Sequence, residues 1–237
     1  MPTILDKKLN LPADKVPKYF KVPAIVIGNS PSRYGIDLNL FKGKGVVFGC
    51  NRLCQEIDFK GFPFFLGACD ETIYELLGPM EDWRANHNFI AYHTPSHPVL
   101  DHFKVPHINY IQDQWNNTGR AMIKFAEFLG CSPIYLVGFF NYAQDNKGRF
   151  ISNMYEHDIR KKGFRYTNEL HSNFHVQPFR KSISEIQQKS PELLVEVRGD
   201  GVFPYLKNSI SLNDVLSTLP TKYTSKVTDI DGFRLHV

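Results

Sequence analysis

Four short segments hold polar groups at spacings suited to gripping a nucleotide or a phosphate. The first is Gly28-Asn29-Ser30-Pro31-Ser32, directly after the apolar run Ala24-Ile25-Val26-Ile27. Gly28 lets the backbone turn sharply. Asn29, Ser30 and Ser32 then offer amides and hydroxyls, a chemistry that suits phosphate. The G-x-G-x-x-G fingerprint is absent, since only Gly28 is present and Pro31 interrupts, which argues against a nicotinamide-type dinucleotide. A plain β-turn of turn-prone residues is the competing reading. The second segment, Phe48-Gly49-Cys50-Asn51, ends another apolar run, and Asn51 can both donate and accept there. The third is Asn116-Asn117-Thr118-Gly119-Arg120. It opens an amphipathic helix, whose N–H groups attract anions, and Arg120 adds a fork of donors. Simple capping by Thr118 is the alternative. The fourth is Gly138-Phe139-Phe140-Asn141-Tyr142, where the Tyr142 phenol follows a strand.

The elements that must position these groups are legible in the apolar pattern. Ala24–Ile27 is short, continuous and β-branched, as a parallel strand covered on both faces should be. Further strands are expected at 45–48, 62–66, 88–92, 134–137 and 193–197. The clearest helix runs from Gly119 to Leu129. Ala121, Met122, Phe125, Ala126 and Leu129 share one face, Thr118 stands at the N-cap position, and Gly130 closes it. Other helices are expected over 179–188 and from a Ser211 cap to Leu216. Alternating strands and helices predict an α/β fold with a parallel or mostly parallel sheet, ligands binding where the strands end.

Composition sets the outer limits. The chain has 237 residues, 42% of them hydrophobic and 22% charged, which suits one domain with a real core and excludes wholesale disorder. No apolar run approaches the ~18 residues of a transmembrane helix. The first twenty residues lack the apolar core of a secretory signal. Cys50, Cys54, Cys69 and Cys131 are scattered and read as reduced thiols of a cytoplasmic protein. The net charge of +4 is compatible with an anionic ligand and too weak to name nucleic acid.

Taken in order, the motifs resemble glycosyltransferase family 42, the bacterial sialyltransferases that build lipooligosaccharide termini. The order is strand-Gly-Asn-x-Pro-Ser, strand-x-Cys-Asn, Thr-Gly before an apolar helix ending in Leu-Gly, then Ile-Tyr-Leu-x-Gly-x-x-x-Tyr. The match runs over about residues 24–206 and is most specific between Thr118 and Tyr142. Pterin diphosphokinase-like proteins share the Gly and Pro-Ser opening. The resemblance implies a Rossmann-like sheet of the GT-A-variant type with a small lid subdomain. It also implies a CMP-sugar donor and no cofactor or catalytic metal. By the same match the donor nucleotide would be held by Gly28, Asn29, Ser30, Pro31, Ser32, Asn51, Thr118, Gly119 and Arg120. The family has Ser in place of Thr118. Its third asparagine has no counterpart here, and Asp70 is the nearest polar group.

The resemblance also suggests a base. The family carries it in a lid, as His-x-x-x-His before a helix, and His171-Ser172-Asn173-Phe174-His175 has that spacing. His171 is the first choice for general base and His175 the second, since histidine titrates near working pH. Tyr142, Tyr155 and Tyr166 are candidates to meet the leaving phosphate. The organisation that follows is an N-terminal extension (1–22), a nucleotide-binding domain (23–142 and 176–237), and a polar, basic lid (143–175). The lid holds Lys147, Arg149, Arg160, Lys161, Lys162 and Arg165.

Two other patterns are weaker. His87, His93, His97, His102 and His107 crowd one segment, but their spacing is irregular and Pro95, Pro98 and Pro106 break any helix that would align them. Asp229-Ile230-Asp231 has the form used by metal-dependent sugar transferases, yet it lies far from the nucleotide motifs and reads as a solvated tail. The expected activity is metal-independent sugar transfer to a glycan or to a modified nucleobase in DNA. The C-terminal residues read as neither a basic nor an amphipathic anchor, which keeps a soluble acceptor open. The alternatives are a Mg-dependent diphosphokinase, using Asp70 with Glu71 or Glu156 with Asp158, and a nucleotide-binding module without turnover. Self-association as a homo-oligomer stays open.

Overall fold

The computed structural model describes residues 10–69, 71–93, 105–112, 117–140, 143–144, 150–151, 177–199 and 205–237. At its centre is the strand Ala24–Ile27 (β2), whose four side chains are all buried because a layer of helices covers each face. Val46–Cys50 (β3), Phe64–Ala68 (β4), Asn88–His93 (β5) and His107–Ile111 (β6) step outward from it on one side. The chain then returns to the other side of β2 as Ile134–Val137 (β7), followed by Leu194–Arg198 (β10) and Ser209–Ser211 (β11). Asn10–Pro12 (β1), within the N-terminal segment, pairs with β6 and completes a nine-stranded sheet. Every pairing in this sheet is parallel. The fold is thus α/β and Rossmann-like, with its switch of direction between β2 and β7.

One face is covered by Thr118–Phe128 (α3) and Gln177–Lys189 (α4). Ala121, Met122, Phe125, Ala126 and Leu129 are all fully buried there, as the apolar spacing requires. The other face is covered by Glu71–Leu77 (α1), Glu81–Arg84 (α2) and Leu212–Thr218 (α5). Ser211 caps α5, its hydroxyl accepting from the Asp214 N–H at 3.1 Å. Two short antiparallel pairs lie outside the main sheet. One joins Ala143–Gln144 (β8) to Phe150–Ile151 (β9), and the other joins Val227–Ile230 (β12) to Phe233–His236 (β13). The β12–β13 hairpin docks on Asn88, the first residue of β5, through His236 N–H to Oδ1 (2.9 Å) and Nδ2 to the His236 carbonyl (2.5 Å). Asp229 and Asp231 belong to this hairpin, and Asp229 Oδ1 accepts from Gly232 N–H in its turn. That docking point is at the edge where strands begin, away from the loops that follow β2 and β7. No helix among the described residues is long and apolar enough to cross a membrane.

Candidate functional site

The first polar segment forms the turn after β2, at the switch point. Gly28 N–H donates to the Val137 carbonyl (2.8 Å) and Ser30 N–H to the Gly138 carbonyl (2.8 Å), so the turns after β2 and β7 are laced together. They approach so closely that a Cβ on Gly28 would stand 2.5 Å from the Gly138 oxygen. Ser30 caps the short 3-10 turn Pro31–Arg33. Its hydroxyl donates to the Phe140 carbonyl (3.0 Å) and accepts from the Ser32 hydroxyl (3.2 Å). That hydroxyl is therefore occupied in holding the turn. Asn29 Nδ2 reaches the Cys50 carbonyl at 3.3 Å, which ties the turn to the end of β3.

A buried cation underlies this turn. Arg33, only 2% exposed, donates Nε to the Gly28 carbonyl at 2.7 Å. Its two terminal nitrogens grip Glu56 at 2.7 and 2.6 Å, the forked geometry that suits a carboxylate, and one also reaches Asn29 Oδ1 at 3.4 Å. The charge is neutralised locally, so Arg33 shapes the turn.

Asn51 follows β3 with a φ of 52°, left-handed backbone that asparagine tolerates better than most side chains. Its Oδ1 accepts from the Thr118 hydroxyl at 3.0 Å. Thr118 has one proton and gives it to Asn51, so Tyr92, 2.9 Å away, donates to the Thr118 oxygen. A relay runs Tyr92 to Thr118 to Asn51, from the end of β5 through the start of α3 to the end of β3. The cap of α3 is not Thr118 but Asn117, whose Oδ1 accepts from the Arg120 N–H at 2.9 Å. Thr118 is the first helical residue, and its hydroxyl is spent sideways on the relay. Gly119 lets the first turn of α3 lie against Phe139, whose ring would stand 2.5 Å from a Cβ there. Arg120 is buried in the same turn, and its Nε has no partner.

The structure thus brings Gly28, Asn29, Ser30, Pro31, Ser32, Asn51, Thr118, Gly119 and Arg120 to one edge of the sheet. Asp70, Tyr142, Tyr155, Tyr166, His171 and His175 lie outside the described residues, as do most of the 143–175 segment and the carboxylates Glu156 and Asp158. The first residue of α4, Gln177, is two positions after His175. Phe179 in its first turn stacks on Phe139 at 5.5 Å, so α4 starts beside the loop that follows β7.

Several groups at this edge escape the sequence reading. Arg33, Glu56 and Tyr92 hold the site residues in place. Gln112, just after β6, is 5% exposed, and neither atom of its side-chain amide has a partner. Glu196 and Arg198 are polar residues in an otherwise apolar strand, the one signal that could have marked them. Burial raises the Glu196 carboxyl above its ordinary range, against the opposing pull of N–H donors from Leu206 and Tyr205 and the charge of Arg198. Burial likewise pushes the Cys50 thiol up to about 12, so it is an inert neighbour of Asn51.

Of the five histidines that crowd one segment, His97 and His102 lie outside the described residues. His87 sits near the strand-beginning edge, between the Trp83 carbonyl (2.7 Å) and the Phe59 N–H (3.1 Å). His93, at the end of β5, meets Asn109 at 2.5 Å. His107 bonds the Val105 carbonyl at 2.9 Å. Among the described residues no three His, Cys, Asp or Glu side chains cluster closely enough to hold a metal.

A scan against protein-family models finds no match, and a search of curated proteins finds none. Among solved structures the chain is similar to the MAf glycosyltransferase from Magnetospirillum magneticum AMB-1, with a TM-score of 0.50 and 15% sequence identity. The similarity covers 87% of this chain and 35% of that one, so the chain spans about a third of its length. At this identity the likeness is one of fold.

Proposed function

We propose that this protein is a glycosyltransferase that binds a nucleotide sugar at the strand-ending edge of its sheet and transfers the sugar to an acceptor hydroxyl. The observation that carries the reading is the convergence of the Gly28–Ser32 turn, Asn51 and the start of α3 at the switch point of a parallel sheet. Such a crevice is where this class of fold binds nucleotides. The fold shared with a glycosyltransferase supports it. The motif order supports a CMP-type donor and a sialyltransferase-like reaction that needs no metal.

In this reading Asn51, its amide oriented by Thr118 and Tyr92, contacts the nucleotide. The free N–H groups at the start of α3 and the guanidinium of Arg120 face developing negative charge on the leaving phosphate. The acceptor oxygen attacks the anomeric carbon as the bond from that carbon to the phosphate oxygen breaks. His171 takes the acceptor proton, with His175 as the alternative, and Tyr142, Tyr155 and Tyr166 are the candidates to hydrogen-bond the departing phosphate. The acceptor is a glycan or a modified nucleobase in DNA.

The test is a thermal-shift screen of CMP, UMP, GMP and ATP, followed by turnover assays with cytidine sugars. Stabilisation by CMP above the others, turnover that survives a chelator, and loss of turnover in His171→Ala are expected. Stabilisation by ATP with chelator-sensitive phosphoryl transfer would point to a diphosphokinase. CMP binding with no turnover would leave a binding module.

A further inference from the structure

Beyond β7, on the side of the switch point away from Asn51, the edge of the sheet opens into a shallow cleft of about 210 Å³, solvent mouth included. Ser32, Gly138, Phe139, Phe140, Glu196 and Arg198 line it. Its floor therefore joins the turn after β2, the loop after β7 and the last residues of β10. Arg198 is the cation of this cleft. Its Nε is buried and has no partner. A buried guanidinium donor without an acceptor is costly, and a bound acceptor would remove that cost. Glu196, the nearest acid on the strand, has one oxygen committed elsewhere: Oε2 takes the N–H groups of Tyr205 and Leu206, both at 2.6 Å. Burial raises its carboxyl above the ordinary range, while those N–H groups and Arg198 pull it back. Among the described residues Arg198 is the one cation that lines the cleft, and the charge of Glu196 offsets part of it. The aromatic wall is fixed, since Phe140 stacks on Tyr205 at 4.7 Å and Arg180 lies over the Tyr205 ring at 5.2 Å.

We infer that Arg198 and this cleft form a subsite for one small anionic group of the bound ligand, a phosphate or a carboxylate. The cleft is too small for a nucleotide and adjoins the turn proposed to hold one, so it takes the end of a ligand whose body lies along Gly28–Asn51. The inference rests on the nucleotide-sugar reading for the identity of that ligand. The free phosphate or carboxylate chemistry is tested separately.

Isothermal titration of the intact chain decides it, with CMP, cytidine, inorganic pyrophosphate and free N-acetylneuraminate as probes. Arg198→Gln is the principal variant and Arg198→Lys the second, each checked by its melting temperature. If the anion is the phosphate, Arg198→Gln weakens CMP and pyrophosphate by about tenfold or more, leaves cytidine unchanged, and Arg198→Lys retains part of the affinity. If it is the carboxylate, the loss falls on N-acetylneuraminate. Anion binding equal in wild type and both variants overturns the inference while leaving the nucleotide reading intact. Arg198-dependent pyrophosphate binding without any CMP binding sustains the inference and removes that reading. Binding of no probe removes both.

Discussion

Asn51 is constrained through both its backbone and its side chain. It holds a left-handed backbone, accepts from Thr118, and has Cys50, buried and inert, on one side. Thr118→Val keeps the shape of the side chain but removes the middle of the relay. It takes from the Tyr92 hydroxyl the acceptor that Thr118 offers. A loss of about 1–2 kcal/mol in urea denaturation is expected, with several-fold weaker nucleotide binding because Asn51 is no longer oriented. Tyr92→Phe should cost less stability, since it removes the donor together with its need for a partner. Arg33 is a second residue-scale test. Arg33→Met would leave Glu56 beside a buried apolar stem and free the Gly28 carbonyl, at a cost of about 3 kcal/mol by the same measurement. Arg33→Lys keeps the charge but not the fork, so its loss should fall between wild type and Arg33→Met.

The element scale is set by how closely the turn after β2, the loop after β7 and the first turn of α3 approach each other. Two glycines allow it, and they should not respond alike to the same substitution. In Gly28→Ala the new methyl meets a backbone oxygen that is itself held by Ser30. In Gly119→Ala it meets the ring of Phe139, which can shift. Gly119→Ala should therefore cost about 1–3 kcal/mol and Gly28→Ala more, read from thermal melts of both variants.

What the sequence reveals divides at the same scale. Ala24–Ile27 and Ile134–Val137 are apolar and β-branched because helices cover both faces, and each stands as a strand where the pattern predicts one. The helix face Ala121 to Leu129 follows in the same way. β6 is not legible, because His107 and Asn109 occupy positions where a buried strand calls for apolar residues. β1 is not legible either, since three residues gain their strand character only from pairing with β6. At the site, the turn-forming residues and the polar residues that end strands can be read locally. The relay cannot, because Asn51, Tyr92 and Thr118 come from three separated segments that only the sheet order brings together. The capping role of Thr118 is displaced by one residue for the same reason: its hydroxyl is taken by a tertiary partner, and Asn117 caps instead.

At the scale of the whole molecule, the edge where the strands end and the opposite edge differ in what they bury. The opposite edge holds His87 and His236, and β6 contributes His107. Burial lowers all three below the ordinary histidine range. For His87 the cause is visible. Nδ1–H donates to the Trp83 carbonyl and Nε2 accepts from Phe59, so the neutral ring fits, and the exposed Asp58 carboxylate at 3.0 Å does not reverse the balance. A lowered native pKa means that the unfolded chain binds protons first as pH falls. Stability is thus present above about 6.5 and is lost as pH drops through the lower native values. Melting temperatures should fall between pH 7 and pH 5, about the range in which unperturbed histidine takes up its proton, and His87→Gln should flatten part of that fall.

The central claim is that the turn after β2, Asn51 and the start of α3 form one nucleotide site. Calorimetric titration of CMP into wild type and Asn51→Ala tests it most directly, because Asn51 touches both other parts only through side-chain and neighbouring backbone bonds. The account predicts saturable CMP binding to wild type that weakens by about tenfold in Asn51→Ala, the loss expected for one or two hydrogen bonds. CMP binding of equal strength in a folded Asn51→Ala variant, or none to wild type, would contradict it.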